Sequence, residues 1–511
     1  MSGYISGIDR NQITMYSLED MVNQESMVRV IDRFIDVTDL QKLGFAKCRP
    51  AETGRPAYPP KAMCKLYVYG YENGIRSSRK LERETLRNIE VMWLTDSLTP
   101  DYKTISEFRR ENLRPLQKLF REFVKLCKSW DLIGGELFAI DGTKIKASNN
   151  KKNNFSRKKI DDRLAHIDEK INGYLAEMDL ADKAEESDRP ADTAKLQRLL
   201  EQAANNTEPQ KPSDQAVDTL KPQKPSDQTG DAAKLQKLLD QATDNIELKK
   251  LLERKEQYED YKKQLDKNGD NELSTVDPDA RLMGNNRGGV DVAYNIQSAV
   301  DAKNDIIVEY DVSMNPSDQH QLSNMARKVK RTLKIKRFTT LADKGYYNGE
   351  DLLKVKRCQV TAIVARQKPS DSKSLPEKFR SEHFVYNEPT DTYTCPMGHT
   401  LCTPNRTAAK RHNYFNKVAC ASCPHKADCV EGATQYRRVT RSQYSKVYEE
   451  TDRLHKDNMD LYRRRQQIVE HPFGTIKHTM NGRYFLVRTR RKVRTEVALL
   501  FLGYNRPVPK H

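Results

Sequence analysis

Between about residues 150 and 275 the composition changes sharply to Lys, Asp, Glu, Gln and Ala, so any sizeable core must be assembled from the segments on either side. Inside this tract AKLQRLLEQA at 194–203 returns as AKLQKLLDQA at 233–242, and PQKPSDQ at 209–215 returns at 222–228. Polar duplications separated by Pro-Ser-Asp read as flexible linker. The flanking stretches, KKIDDRLAHIDEKINGYLAEMDLADKAEE and IELKKLLERKEQYEDYKKQLDKNG, read as long amphipathic helices able to pair as an antiparallel arm. The tract accounts for much of the low apolar content, 37% of the 511 residues against roughly 45–50% in an ordinary domain. A second interruption, 366–449, is rich in Cys.

Removing both interruptions leaves an N-terminal helical domain over 1–130 and a discontinuous core over 131–149, 276–365 and 450–500. In the first, VRVIDRFIDVTDLQKLGF, PPKAMCKLYVYGYENG, SSRKLERETLRNIEVMWLT and KTISEFRRENLRPLQKLFREFVKLCKSW carry apolar residues at helical spacing. Between them lie Arg76, Arg79, Lys80, Arg83, Arg87, Arg109 and Arg110, which suit either a grip on DNA or a solvated bundle surface. The whole chain has 89 Lys and Arg against 72 Asp and Glu, a formal charge of +17, which favours a polyanionic partner. Charge alone also fits a ribosome-associated or membrane-surface protein. No apolar run approaches the roughly 18 residues of a membrane span, and MSGYISGIDRNQ lacks a signal-peptide layout, so a cytoplasmic, nucleoid-associated protein is expected, with no membrane partner.

Three carboxylates stand out in the core. Leu137, Phe138, Ala139 and Ile140 run into Asp141 and Gly142, which reads as a buried strand presenting an acid at its end, or as an Asp-Gly hairpin turn. RFTTLADKGYYN repeats the design, with a short strand ending in Asp343 and Gly345 two residues on. Between them VDVAYNIQSAVDA and DIIVEYDVSMN form a hairpin about Lys303-Asn304, followed by the polar helix SDQHQLSNMARKVKRTLKI. After Asp343 come the helix GEDLLKVKRC and the strand VTAIVA. The third acid, Glu470, lies in YRRRQQIVEHPFGTIKHTMNGRYFLVR as the one acid among six cations. Lys477 follows seven residues later, on the same face if the helix survives Pro472 and Gly474. A salt-bridged basic helix fits that stretch too.

Five of the nine Cys fall between 395 and 429. Cys395, Cys420, Cys423 and Cys429 have a spacing that lets thiolates converge on a structural zinc, with His399 or Cys402 as substitutes. A set of reduced Cys in a degraded site is the alternative.

The chain resembles the DDE transposases of bacterial insertion sequences, specifically the large group numbered eleven eighty-two. The resemblance rests on GRPAYPPKAMCKLYVYGYENGIRSSRKLE, RNIEVMWLTDSLTPDYKTISEFR, AIDGTKIKA, DPDARLM, GGVDVAYNIQSAVDA, LADKGYYN, the Cys cluster and RRRQQIVEHPFGTIK, in that order. It implies an α/β fold with an RNase H-like mixed-sheet catalytic core, an N-terminal helical domain, a helical or coiled insertion and a small zinc-ribbon-like insertion. The strand, hairpin, helix, strand, helix, strand and late helix read above is the order such a core expects. It also implies that Asp141, Asp343 and Glu470 hold Mg²⁺ or Mn²⁺, which suits oxygen ligands. Related transposases place a Tyr and an Arg before the glutamate and a Lys seven after it. Lys477 fits, Arg463 and Gln466 occupy the other two positions, and Arg465 is carried as a second substrate contact while Tyr462 is left out.

The expected function is transposition: binding of terminal inverted repeats, metal-dependent cleavage of double-stranded DNA at the element's ends, and strand transfer into target DNA by at least a homodimer. A transposase-derived DNA-binding protein without catalysis and a metal-dependent nuclease are the alternatives.

Overall fold

The computed structural model describes residues 11–49, 52–53, 56–186, 246–269, 271–285, 288–367, 375–403, 411–430 and 434–505. The duplicated segments at 194–203, 209–215, 222–228 and 233–242 lie outside the described residues. The chain forms two compact units, Met1–Lys151 with Val276–His511, and Lys152–Thr275.

The first unit begins with α1 (Leu18–Met21), α2 (Met27–Val37), α3 (Leu40–Leu43), α4 (Pro60–Glu72), α5 (Ser78–Arg87), α6 (Ile89–Leu94), α7 (Tyr102–Glu111) and α8 (Leu113–Ser129). Ser26, Asp39, Asn88 and Asp101 cap α2, α3, α6 and α7 by accepting backbone N–H groups that the first turn leaves unpaired. Pro60 opens α4, where its missing N–H does no harm. Along α8, Leu116, Leu119, Phe120, Phe123, Val124 and Cys127 recur at three- and four-residue intervals and are buried.

After α8 the chain forms β1 (Leu137–Lys146) and enters the second unit with β2 (Asn154–Ser156), α9 (Arg157–Glu186), α10 (Ile246–Asn268) and β3 (Glu272–Ser274). The two helices run antiparallel. Arg157 pairs with Asp266 at 2.6 Å, Lys262 with Asp161 at 2.8 Å and Lys255 with Asp168 at 2.8 Å, around an apolar seam of Ile167, Ile171, Leu248 and Leu252.

The first unit resumes with β4 (Arg281–Gly284), β5 (Val290–Asp301), β6 (Ile307–Ser313), α11 (Leu322–Leu333), β7 (Phe338–Ala342), α12 (Gly349–Arg357) and β8 (Val360–Val364). The Cys-rich segment contains β9 (Val385–Asn387), β10 (Thr392–Thr394), β11 (Thr400–Leu401), β12 (Arg411–Phe415), α13 (Lys417–Ala421), α14 (Lys426–Cys429) and β13 (Arg438–Ser442). It builds a three-stranded sheet, β11-β10-β9, and a two-stranded one, β12-β13. Then come α15 (Ser445–Asp457), α16 (Met459–His478) and α17 (Arg490–Tyr504).

The main sheet runs β5-β1-β7-β8, with β4 and β6 pairing successive stretches of β5 on its other side. β1 is antiparallel to β5 and parallel to β7, and β7 is parallel to β8, so the sheet is mixed. Side chains alternate across it, which puts Asp141, Thr143, Ser298 and Tyr310 on one face and Gly142, Gln297 and Asp311 on the other. α8 and α17 cover the first face, where Phe120 and Phe501 meet Tyr310 edge-on. α11 covers the second, where Asn324 donates to Asp311. Helices thus sandwich the sheet around one continuous core.

Two readings of the sequence change here. Asp141 does not end its strand: β1 runs on to Lys146 because β5 pairs with it residue for residue from Phe138 to Lys146. That ladder overrides the local Asp-Gly turn signal. Arg76 is not a surface cation either, since its side chain is 3% exposed and its guanidinium faces the Glu496 carboxylate of α17 at 3.1 Å. α16 runs unbroken through Pro472, so Glu470 and Lys477 do share a helix face. Among the described residues, no helix is long and apolar enough to cross a membrane.

Candidate active site

The β1–β7 ladder ends at the pair Ile140 and Ala342, so Asp141 and Asp343 are the next residues on two adjacent parallel strands. Asp343 caps the 3-10 turn Lys344–Tyr346, accepting the Lys344 N–H at 2.6 Å. Asp141 accepts the Gly142 N–H at 2.9 Å. Burial pushes the Asp141 carboxyl up to about 6, with nearby Asp318 and Asp343 adding to the rise and the Gly142 N–H and Arg465 opposing it.

α16 contributes the cations. Arg465 reaches to 3.7 Å from Asp141, and Lys477 donates to the Thr143 hydroxyl two residues along β1. Burial lowers the Lys477 amine below its usual range, and Asp141 partly offsets this. Arg465 is the arginine that meets the acid, whereas Arg463 pairs outward with Asp460 at 3.0 Å. Tyr462, three residues before Arg465, also belongs here: its ring lies 5.9 Å from the Arg465 guanidinium. Burial raises the Tyr462 phenol, opposed by Arg465 and reinforced by Asp343. Glu470 is exposed on the same helix between Arg465 and Lys477, and it has no ion pair among the described residues. Arg463, Arg465 and Lys477 find other partners, so the salt-bridged-helix reading does not describe it.

Sequence reasoning missed the polar group beneath this site. Asn295 and Gln297 of β5 donate to Asp318 at 2.8 and 2.7 Å, and Tyr346 donates to Gln297 at 2.5 Å. The available signal was two amides at alternate positions inside the otherwise apolar run VAYNIQSAV. Asp318 offered none, because Pro-Ser-Asp reads as an ordinary helix start.

In the Cys-rich segment, Cys395, His399, Cys420, Cys423 and Cys429 line one cavity of about 30 Å³, while Cys402 is exposed and lies outside its lining. All nine Cys are free thiols. The Cys429 thiol is pushed up by burial, opposed by Arg437 and reinforced by Cys420, Cys395 and Cys423. Such a donor set suits zinc, as the oxygen set around Asp141 suits magnesium. Among the described residues, no group of three or more His, Cys, Asp or Glu is drawn together tightly enough to hold an ion.

Residues 16–111 match a family model described as a transposase domain, and residues 394–506 match one described as a transposase DDE domain. The second covers Arg465, Glu470, Lys477 and the Cys cluster, and neither spans Asp141 or Asp343. No curated protein and no solved structure matches the chain. Both matches are to transposase domains, and together they cover less than half of the chain.

Proposed function

We propose that the chain is a DDE transposase that binds terminal inverted repeats in double-stranded DNA, cleaves at the element's ends and joins them to target DNA. The observation that carries this reading is the placement of Asp141 and Asp343 at adjacent positions just past the β1–β7 ladder, under a helix that brings Arg465 and Lys477 to β1 and carries Glu470, which has no ion pair among the described residues. The strand order β6-β5-β1-β7-β8, antiparallel only at β5, supports an RNase H-like core.

Asp141, Asp343 and Glu470 would hold Mg²⁺ or Mn²⁺, which requires these side chains to draw inward. Bound there, the ions supply activation of the attacking oxygen and charge neutralisation at the scissile phosphate. The chain's own residues do the rest. Lys477 and Arg465 neutralise phosphate oxygens, and β1 and β7 bring the two acids to adjacent positions just past the end of their ladder before substrate arrives. Cleavage at two ends calls for at least two protomers on DNA.

The direct test is incubation with labelled terminal-repeat DNA and Mg²⁺ or Mn²⁺, comparing wild type with Asp343→Ala. Cleavage and joined product by wild type alone are expected. Equal cleavage by the variant would remove the triad assignment, cleavage without joining would make the chain a nuclease, and binding without cleavage would make it a non-catalytic DNA-binding protein.

For the Cys-rich segment, one structural zinc on Cys395, Cys420, Cys423 and Cys429 is proposed, with His399 beside it. Elemental analysis of reduced, dialysed protein should find about one zinc per chain, lost in Cys420→Ser. Retention of zinc by that variant would exclude Cys420 as a ligand.

A further inference from the structure

We propose that Gln297 and Asp318 form a clamp that holds the Asp343 turn against β1, making both positioning residues for the reaction proposed above, on which the inference rests. Backbone pairing between β1 and β7 stops at Ile140 and Ala342, so the ladder itself does not fix Asp141 relative to Asp343. Side chains on the opposite face of the sheet take over. Gln297 lies directly across from Gly142 and is fully buried. Its Nε2 donates to Asp318 Oδ1 at 2.7 Å and to Asn295 Oδ1 at 3.1 Å, and its Oε1 accepts from the Tyr346 hydroxyl at 2.5 Å. Tyr346, also fully buried, ends the 3-10 turn that Asp343 caps. A continuous chain of hydrogen bonds therefore runs from Asp318 through Gln297, which faces Gly142 across the sheet, to the turn after Asp343.

Two glycines make room for it. A Cβ on Gly142 would lie 2.3 Å from Asp318 Oδ1 and 2.5 Å from Gln297 Nε2, so no larger residue fits while the clamp is closed. On Gly345 it would lie 3.6 Å from Asp318 Oδ2, an ordinary contact, so Asp318 sits between strand and turn. Apolar side chains would fill this space without needing partners. What a satisfied polar network adds is direction, since each bond holds its partners in one geometry where apolar packing tolerates slip.

The test uses the full chain with Tyr346→Phe, Gln297→Leu, Asp318→Ala and Asp318→Asn. Each is followed by kcat and KM for terminal-repeat cleavage, melting temperature, and amide hydrogen exchange over 343–347. Tyr346→Phe, Gln297→Leu and Asp318→Ala should lower kcat by about 10- to 100-fold with little change in KM, and should speed exchange in the turn. Asp318→Asn keeps an oxygen that accepts from Asn295 and Gln297, and should restore most of both. Unchanged exchange at 343–347 in the first three variants would overturn the clamp. So would a loss in Asp318→Asn equal to that in Asp318→Ala, because charge and not hydrogen bonding would then be the agent. If wild type binds DNA without cleaving it, the transposase reading fails, and the exchange measurement decides the clamp by itself.

Discussion

Asp141→Asn is expected to abolish strand cleavage, a loss on the order of 10²–10³-fold or more, and at the same time to raise the melting temperature of the metal-free protein. The two effects share one cause. Folding lifts this carboxyl from its ordinary 3.8 to about 6, chiefly by burial and further by the nearby Asp318 and Asp343. Because the folded state binds the proton more tightly than the unfolded one, stability falls as pH rises through the window from about 4 to about 6. Above that window the ionised acid costs the fold about 3 kcal/mol, a strain that Asn does not carry. The stability gap between variant and wild type should therefore be largest near pH 7.5 and vanish below pH 4. Mg²⁺ or Mn²⁺ should stabilise wild type and leave the variant unmoved, since only an ion held by the carboxylate binds the folded state selectively. Thermal melts at pH 4 and 7.5, with and without metal, read all of this. A variant no more stable than wild type at pH 7.5 would mean that Asp141 is not under electrostatic strain.

Arg76→Ala is expected to destabilise the first unit by about 3–5 kcal/mol, the usual consequence of leaving a buried charge without its partner. Arg76 donates to Glu496 at 3.1 Å and to the backbone carbonyls of Asn481 and Tyr484, and both charged side chains are essentially inaccessible. Glu496 in turn accepts the N–H groups of Leu486 and Val487 at 3.0 and 3.3 Å. The pair thus ties the segment after α5's preceding turn to α17 and to the loop that follows α16. Burial raises the Glu496 carboxyl, with Arg76 and then Arg109 opposing the rise, so losing Arg76 should push it up further. Chemical denaturation measures the loss. Lys80→Ala and Arg83→Ala provide the contrast, since both residues are exposed. They should change stability by no more than about 0.5 kcal/mol, and if this face meets DNA each should reduce the salt dependence of binding by roughly one ion. Equal stability effects at positions 76 and 83 would refute the assignment of Arg76 to the interior.

Much of the local organisation was legible because its causes are local. The strand over Phe138–Ile140, the hairpin about Lys303 and Asn304, the strand before Asp343 and the Glu470–Lys477 spacing on one helix follow from periodicities of two and 3.6 residues. The Arg465 and Tyr462 positions were harder. Each lies one residue from the spacing expected of related proteins, yet Arg465 meets Asp141 and Tyr462 stacks beside it, because helix packing and not residue count selects which side chains face β1.

The sequence by itself determined the alternation of core-building and polar segments, the acids at 141, 343 and 470, and the grouping of the thiols, all of which are written in composition and short-range spacing. Tertiary structure alone decided that Asp141 and Asp343 lie on neighbouring strands, that β1 continues past its aspartate, that Asp318 joins them from a loop, and that Arg76 is internal. The physical reason is the same in each case. Strand register and the burial of a charge depend on partners tens to hundreds of residues away, and no short-range periodicity encodes which partner will be there.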